Sequence, residues 1–182
     1  MNSVSLHRAT PVDAPRLLAW REEASAGRYQ PIRPTTLASL QERLAKEADR
    51  PLDADFEGTA TFIIEASGEP TGWITLREVN REHRTGDIGY TIGEAFRGRG
   101  LATAALRALL PLAFETADLD RLQAVAAVDN MASRRVLERA DFQCEGIARA
   151  YLIIRGQRID HARYALLRDD WRETREAATS SN

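Results

Sequence analysis

The stretch from Asp87 to Ala105, which reads DIGYTIGEAFRGRGLATAA, constrains this chain more than any other part of it. It passes from an apolar, β-branched run through the turn Arg97-Gly98-Arg99-Gly100 into a segment that we expect to be helical from Leu101. Glycines let backbone N–H groups approach a ligand closely, and the first N–H groups of a helix lack intrahelical partners. With the helix dipole and two arginines added, the turn favours a bound diphosphate.

Two common diphosphate loops do not fit this turn. The P-loop needs GxxxxGK[ST], and the turn has neither that length nor the lysine. The dinucleotide fingerprint GxGxxG fails because Thr103 stands where its third glycine belongs. Without a ligand, the run would be a glycine turn with solvated arginines, and the rest of the chain has to decide between these readings.

The run does resemble the acetyl-coenzyme A loop of the GNAT N-acetyltransferase superfamily, (Q/R)-x-x-G-x-(G/A), which it matches in full. The resemblance implies that backbone N–H groups of this loop hold the coenzyme A pyrophosphate. The cofactor-binding residues that it implies are Ile92, Arg97, Gly98, Arg99, Gly100, Leu101 and Ala102.

Length and composition describe an ordinary globular chain. It has 182 residues, a 43% hydrophobic fraction and a net charge of −2, so nothing marks a nucleic-acid binder. No apolar run approaches the ~20 residues of a membrane span, and the first residues have no apolar signal core, so we expect no membrane partner. Cys144 is the sole cysteine, which fits a cytoplasmic location. One Cys and three separated His give no metal site.

Periodicity and turn residues predict alternating strands and helices, and hence an α/β fold with a mixed sheet and helices on both faces. The predicted strands are Ser3–Ala9, Thr59–Ala66, Thr71–Val79, Asp87–Ile92, Arg121–Val128 and, at the end of the chain, Asp141–Ala148, Ala150–Arg155 and His161–Arg168. The predicted helices follow Thr10-Pro11, cover Leu37–Ala48, run from Leu101 to Ala117 with a kink at Pro111, and run from Asn130 to Arg139.

A second motif strengthens the resemblance. Residues 129–142 read DNMASRRVLERADF and are similar to DNxxSxxVLExxGF, found in the GNAT branch that acetylates the N-termini (alanine) of ribosomal proteins. In that branch the Asn contacts coenzyme A and the Ser lies near its sulfur, which implies these roles for Asn130 and Ser133. The similarity covers Phe62 to Trp171. It implies a single acetyltransferase domain over residues 1–172 whose mostly antiparallel sheet is splayed at the acetyl-CoA strand. Residues 173–182 are polar and small, so we expect a disordered tail there.

Two positions depart from the family pattern. Many GNAT enzymes carry a tyrosine seven residues after this Asn, where it protonates the departing thiolate, and here the position is Leu137. Asp141 stands where the family has a glycine after the helix, so we expect a small stability cost there.

The implied reaction is acetyl transfer from acetyl-CoA to a primary amine, without a metal. Asp87 is the predicted base, because relatives carry an acidic residue at this position of the strand. Its alternative is a solvated carboxylate paired with Arg81 or Arg84, and Glu94 is a second, weaker choice of base. Ser133 could donate a hydrogen bond to the leaving thiol, or could be an ordinary first-turn serine, and Asn130 could be a plain N-cap.

The acceptor stays open between a protein N-terminus, a polyamine or aminoglycoside, and an amino-acid-like metabolite. Because Leu137 replaces the tyrosine, a coenzyme A-binding regulatory module without transfer activity is the alternative of a different class. A third reading is the same fold acting on a longer acyl-CoA. Edge strands near the C-terminus are compatible with a homodimer.

Overall fold

The computed structural model describes residues 4–180. Its seven strands form one mixed sheet, and five α-helices connect or follow them. The strands are β1 (Val4–Arg8), β2 (Gly58–Ala66), β3 (Glu69–Asn80), β4 (Thr85–Ile92), β5 (Arg121–Ala127), β6 (Gln143–Ile154) and β7 (Gln157–Leu167). The helices are α1 (Ala14–Glu22), α2 (Leu37–Ala48), α3 (Leu101–Pro111), α4 (Met131–Arg139) and α5 (Arg168–Ser180). Ser3, where the first predicted strand begins, lies outside the described residues.

The strand order is β1-β2-β3-β4-β5-β7-β6, and every neighbouring pair is antiparallel except β4 with β5. That parallel pair is short, because only Thr85–Asp87 pairs with Arg121–Gln123. Beyond Asp87 the two strands diverge while each continues, β4 to Ile92 and β5 to Ala127. The predicted mixed, mostly antiparallel sheet and its splay are therefore confirmed.

The sheet carries a hydrophobic core on each face. The larger one lies against α3, α4 and the start of α5, and includes Leu76, Ile88, Leu106, Leu137 and Trp171. The smaller one lies against α1 and α2, and includes Leu17, Trp20, Leu40, Leu44 and Ile63. Residues alternate between the two faces along each strand, so the chain's period-two pattern decides which side chains enter which core.

The C-terminal strands differ from the prediction, which had three where the structure has two. One strand, β6, runs through the break expected near Arg149. The register shifts between Ala148 and Leu152, and Ala150 has a φ of 52°. A bulge of this kind leaves a backbone amide unpaired. Here the Ala150 N–H donates to the Asp160 carboxylate at 2.7 Å, which lets the strand continue.

The structure also differs from the predicted disordered tail over residues 173–182, because α5 continues to Ser180. Arg175 lies over the Trp171 ring at 4.6 Å and pairs with Glu115 at 2.7 Å. Side-chain packing of this kind stabilises a helix whose composition is polar. Cys144, on β6, is exposed.

Pro111 ends α3, and the chain continues as a π-helical turn, Leu112–Thr116, closed by Ala117 N–H to Leu112 O at 2.9 Å. Proline has no N–H and displaces the carbonyl four residues earlier, so the change of helix type accommodates it. Between residues 4 and 180, no helix is long and apolar enough to cross a membrane.

Candidate active site

The divergence of β4 from β5 opens a cleft in the middle of the sheet. Beyond Asp87, the edge of β4 over Ile88–Ile92 has no partner strand on the β5 side. Backbone N–H and C=O groups at such an edge need partners, which water or a ligand can supply. The cleft therefore combines an open strand edge with the two helices that follow its strands, α3 after β4 and α4 after β5.

The glycine turn at one end of the cleft has the geometry of an anion site. Gly98 and Gly100 have φ values of 75° and 76°, and a Cβ at either position would meet nothing within 4 Å. Glycine is thus required by the backbone conformation, and the space beside it is open. The first bond of α3 runs from Ala104 N–H to Gly100 O at 3.1 Å. The N–H groups of residues 101–103 precede that bond and have no i−4 partner in the helix.

The two arginines of the turn have different placements. The Arg97 guanidinium donates to Ile92 O at 2.9 Å and to Ser25 Oγ at 2.7 Å, and lies 3.6 Å from Glu23. Its side chain therefore braces the turn against the end of α1. Arg99 is exposed, donates to Ala95 O at 2.9 Å and lies over the Phe96 ring. The Arg99 side chain has no ion-pair partner among the described residues, whereas Arg97 is paired with Glu23.

The contacts that hold this turn in place join residues that are far apart in the chain. Glu94 N–H donates to the Glu23 carboxylate at 3.0 Å, and Ser25 N–H donates to Glu94 Oε1 at 2.9 Å. A Cβ on Gly93 would lie 2.6 Å from Trp20 Nε1, so only glycine lets the chain pass α1 here. These partners are about 70 residues apart in sequence, and no local pattern connects them.

Asp87 lies where the two strands separate, and is partly buried between register partners Arg77 on β3 and Gln123 on β5. Burial, followed by the neighbouring Glu78 carboxyl, raises the pKa of Asp87 to about 6, while Arg77 and Gln123 oppose the rise. Glu78 has a φ of 51° at a register shift in β3, an unusual conformation for glutamate. A carboxylate with a pKa near 6 is suited to take up a proton at neutral pH.

Glu94, the second candidate for the base, has other contacts in the structure, and so do Arg81 and Arg84, the predicted partners of Asp87. Glu94 is exposed and its Oε1 accepts from Ser25 N–H at 2.9 Å, and hydrogen bonds with Ser25 lower the pKa of Glu94. Arg84 pairs with Asp118 and Asp120, and Arg81 donates to Ala117 O. Neither arginine pairs with Asp87 among the ion pairs of the described chain.

The first turn of α4 faces β4 across the cleft. Asn130 is the N-cap, with its Oδ1 accepting from Ser133 N–H at 3.1 Å. That bond leaves the Asn130 amide nitrogen available, so the cap and a ligand contact are compatible. The Ser133 hydroxyl lies 2.9 Å from Tyr90 Oη, a contact that the sequence analysis missed. Leu137 is fully buried in the larger core and offers no proton donor.

The opposite face of β4 is lined by polar and basic groups. The Arg77 guanidinium lies over Gly89, with Cζ 3.8 Å from where a Cβ would be. Thr91 accepts from the Gln30 side chain at 3.4 Å, which brings the connection between α1 and α2 to this face. On β7, Arg163 is exposed and is the register partner of Val125. The cleft can therefore be approached from this face past two arginines.

Comparison with known families agrees with this geometry. A model of the acetyltransferase (GNAT) domain matches residues 4–143, which is more than half of the chain. The chain belongs to the GNAT acetyltransferase family. The resemblance noted in the sequence is thus confirmed, and the divergence of β4 and β5 is the family's splayed cleft in this chain.

Individual relatives point to the ribosomal-protein branch. The chain is 39% identical over 118 residues to YdaF of Bacillus subtilis (strain 168), whose name provisionally assigns it to the ribosomal N-acetyltransferases, with 65% of this chain and 64% of YdaF covered. It is 38% identical over 84 residues to the [ribosomal protein uS5]-alanine N-acetyltransferase of Escherichia coli (strain K12), covering 46% and 43% of the two chains. The match thus spans less than two thirds of either relative.

A solved structure is similar over most of the chain. Mycobacterium smegmatis RimJ, in complex with a CoA-disulfide, superposes with a TM-score of 0.80 at 26% identity, covering 92% of this chain and 83% of that one.

Proposed function

We propose that this chain transfers the acetyl group of acetyl-coenzyme A to the α-amino group of a peptide, by direct attack of the amine in a ternary complex. The observation that supports it most is the cleft between β4 and β5, which has unpaired helix N–H groups at one end and Asp87 at the other.

The coenzyme's pyrophosphate would be held by the backbone N–H groups from Gly98 to Ala102, together with the Arg99 side chain. Arg97 would act indirectly, because its guanidinium is occupied by Ile92, Ser25 and Glu23. Ile92 would contact the coenzyme from the open edge of β4, and Asn130 would donate from its free amide nitrogen. A negatively charged ligand fits at this place because the N–H groups and the dipole of α3 point toward it.

The chemistry then needs a neutral amine and a protonated leaving group. An α-amino group has a pKa of roughly 7.7–8, so a base with a pKa near 6 can take its proton as the new amide bond forms. We assign that task to Asp87, directly or through one water molecule. Open N–H groups of β4 would stabilise the oxyanion. Ser133 would donate to the sulfur as the carbon–sulfur bond breaks.

Charge favours a peptide over a polyamine as acceptor. Arg77 and Arg163 lie on the same face as Asp87, because residues directly opposite in register share a face. Positive charges within about a Debye length of ~8 Å repel a polycation and attract an acceptor with a carboxylate near its amine. We therefore expect a peptide with an acidic residue close to its N-terminus.

The test combines binding with turnover. At 100 times its Kd, acetyl-CoA should add about 2.7 kcal/mol to the free energy of unfolding. The Arg99→Glu, Gly100→Glu double variant should show no such gain. Release of free thiol is then measured with an Ala-Asp peptide, a matched Ala-Lys peptide and spermidine.

Each outcome has a distinct meaning. Turnover of the Ala-Asp peptide above the other two supports the proposal, and faster turnover of spermidine would overturn the acceptor assignment. Binding without turnover of any amine would indicate a coenzyme A-binding module instead. Turnover with a longer acyl-CoA but not acetyl-CoA would correct the donor. Absence of any stabilisation would overturn the whole proposal.

A further inference from the structure

One side chain that the proposed function does not use connects the two sides of the cleft. Tyr90, on β4, places its hydroxyl 2.9 Å from Ser133 Oγ and 3.1 Å from Ser133 O, on the first turn of α4. Both residues are partly buried. Since β4 and β5 have already separated at this level, the contact crosses the opening between them.

The position of Tyr90 follows from the alternation of β4. Ile88 and Ile92 are in the larger core, and Tyr90 lies between them on the same face, toward α3 and α4. Ser133 is held there from a second side, because its N–H donates to the Asn130 cap at 3.1 Å. The helix cap thus holds the Ser133 backbone, and the phenol of Tyr90 holds its hydroxyl.

Tyr90 is a phenol that keeps its proton. Burial, which outweighs the opposing hydrogen bond with Ser133, raises the pKa of Tyr90 to about 12. Tyr164 on β7 adds to this rise, and its hydroxyl contacts Arg134 and Glu138 of α4 at 3.1 and 2.8 Å. At neutral pH the Tyr90 hydroxyl is therefore protonated, and its single O–H can donate to the Ser133 backbone oxygen or to Ser133 Oγ.

We infer that Tyr90 is a proton-donating and positioning residue that acts through Ser133 on the departing thiolate, and so takes over the task of the tyrosine that Leu137 replaces. This inference rests on the proposed function. When the amine nitrogen bonds to the carbonyl carbon, the carbon–sulfur bond breaks and its electron pair stays on sulfur. Ser133 gives its proton to that sulfur, Tyr90 gives its own proton to Ser133, and water reprotonates Tyr90. The amine's proton leaves through Asp87, so protons balance.

A purely structural role predicts something else. If Tyr90 only clamped β4 to α4, its hydroxyl would affect stability and coenzyme affinity but not the acidity of the coenzyme's thiol. A free thiol has a pKa of about 8.5, and a donor aimed at the thiolate lowers that value. The pKa of the thiol of bound coenzyme A therefore separates the two roles, and it can be read from thiolate absorbance without any turnover.

The experiment measures this thiol pKa in the wild type and in Tyr90→Phe, with coenzyme A bound to the intact chain. Losing one hydrogen bond to the donor should raise the bound-thiol pKa by about half a unit to one unit. The kcat for acetyl transfer should fall about tenfold while the KM for acetyl-CoA changes less than about twofold. Thr71→Val is the matched control, because it removes a buried hydroxyl that donates to Ile64 O and has no part in the Tyr90–Ser133 contact, and it should leave the thiol pKa unchanged.

A second variant keeps the hydroxyl and the fold. Replacement of Tyr90 by a fluorinated tyrosine lowers the phenol's own pKa, so the bound-thiol pKa should fall below the wild-type value. Equal thiol pKa values in wild type, Tyr90→Phe and the fluorinated protein, with coenzyme A bound in all three, would overturn the inference and leave the proposed function intact. Failure of the wild type to bind coenzyme A would overturn the proposed function itself.

Discussion

The loop end of the cleft and its chemical end are built from different parts of the chain. The loop end consists of consecutive residues, Arg97 to Ala102. The conformation of its glycines and the position of its helix N–H groups depend on these neighbouring residues. The chemical end brings together Asp87 and Tyr90 from β4, Ser133 from α4 and Arg77 from β3. In the function that we propose, binding at the first end would rely on backbone groups, whereas proton transfer at the second would rely on side chains with altered environments. A substitution at the loop end should therefore change the affinity for acetyl-CoA, whereas one at the chemical end should change the rate of proton transfer.

The largest effect that we expect is on proton transfer at the chemical end. Asp87→Asn should lower kcat by about 10²–10³-fold and leave the Kd for acetyl-CoA unchanged, because the variant lacks the base but keeps the loop. In the wild type, kcat should rise with pH through about 6, as Asp87 loses its proton, and this limb should vanish in the variant. Glu94→Gln is the control, and it should keep the limb.

Asp87 should also show the stability cost of a functional carboxyl. Its folded pKa is raised above the unfolded value, so the stability it contributes is present below pH 4 and is lost as the pH rises through about 6. After allowance for its partial exposure, Asp87→Asn should gain about 1 kcal/mol at pH 7. Denaturant unfolding at pH 7 and pH 4 measures this, and an equal gain at both pH values would contradict it.

At the loop end, backbone conformation should decide the outcome. Gly100→Glu should weaken acetyl-CoA binding by about 100-fold, through a strained φ and a carboxylate placed at an anion site. Gly68→Glu is closely matched, since Gly68 has a φ of 78° with nothing within 4 Å of a Cβ, but lies in the β2–β3 turn. Calorimetry should show normal binding for Gly68→Glu, and comparable losses in both variants would point to misfolding instead.

Acceptor choice should depend on Arg77 with a smaller effect. Arg77→Glu should reverse the preference between Ala-Asp and Ala-Lys peptides, changing the ratio of kcat/KM by about tenfold, because one charge beside the acceptor changes sign. Arg172→Glu, on α5, makes the same charge change at an exposed position and should keep the wild-type ratio. An unchanged ratio in Arg77→Glu would place the acceptor elsewhere.

The smallest effect should come from Arg97, although it belongs to the loop motif. Arg97→Gln should raise the Kd for acetyl-CoA by no more than about fivefold, because it loses contacts to Ile92, Ser25 and Glu23 rather than to the ligand. Arg99→Gln should reduce the salt dependence of binding, while Arg97→Gln should keep it. Reduced salt dependence in Arg97→Gln would show that its guanidinium reaches the pyrophosphate.

Local signals predicted much of the fold. The turn Arg97–Gly100, the N-cap Asn130 and helix α2 over Leu37–Ala48 all appear as expected, since each depends on neighbours within a few residues. Asp141 takes the left-handed φ of 67° where relatives have glycine. The errors lie where distant groups decide, as at Ala150, whose amide is satisfied by Asp160, and at α5, which Glu115 and Trp171 support.

What the sequence determined by itself is the glycine turn and the family, because a glycine turn followed by a helix presents its N–H groups from consecutive residues. What only the tertiary structure decided is the chemistry around it. The raised pKa of Asp87 comes from burial and from Glu78, the placement of Tyr90 against Ser133 comes from the docking of α4 on β4, and the brace at Arg97 comes from the end of α1. Burial and contact between distant residues exist only once the chain has folded, so no local pattern could carry them.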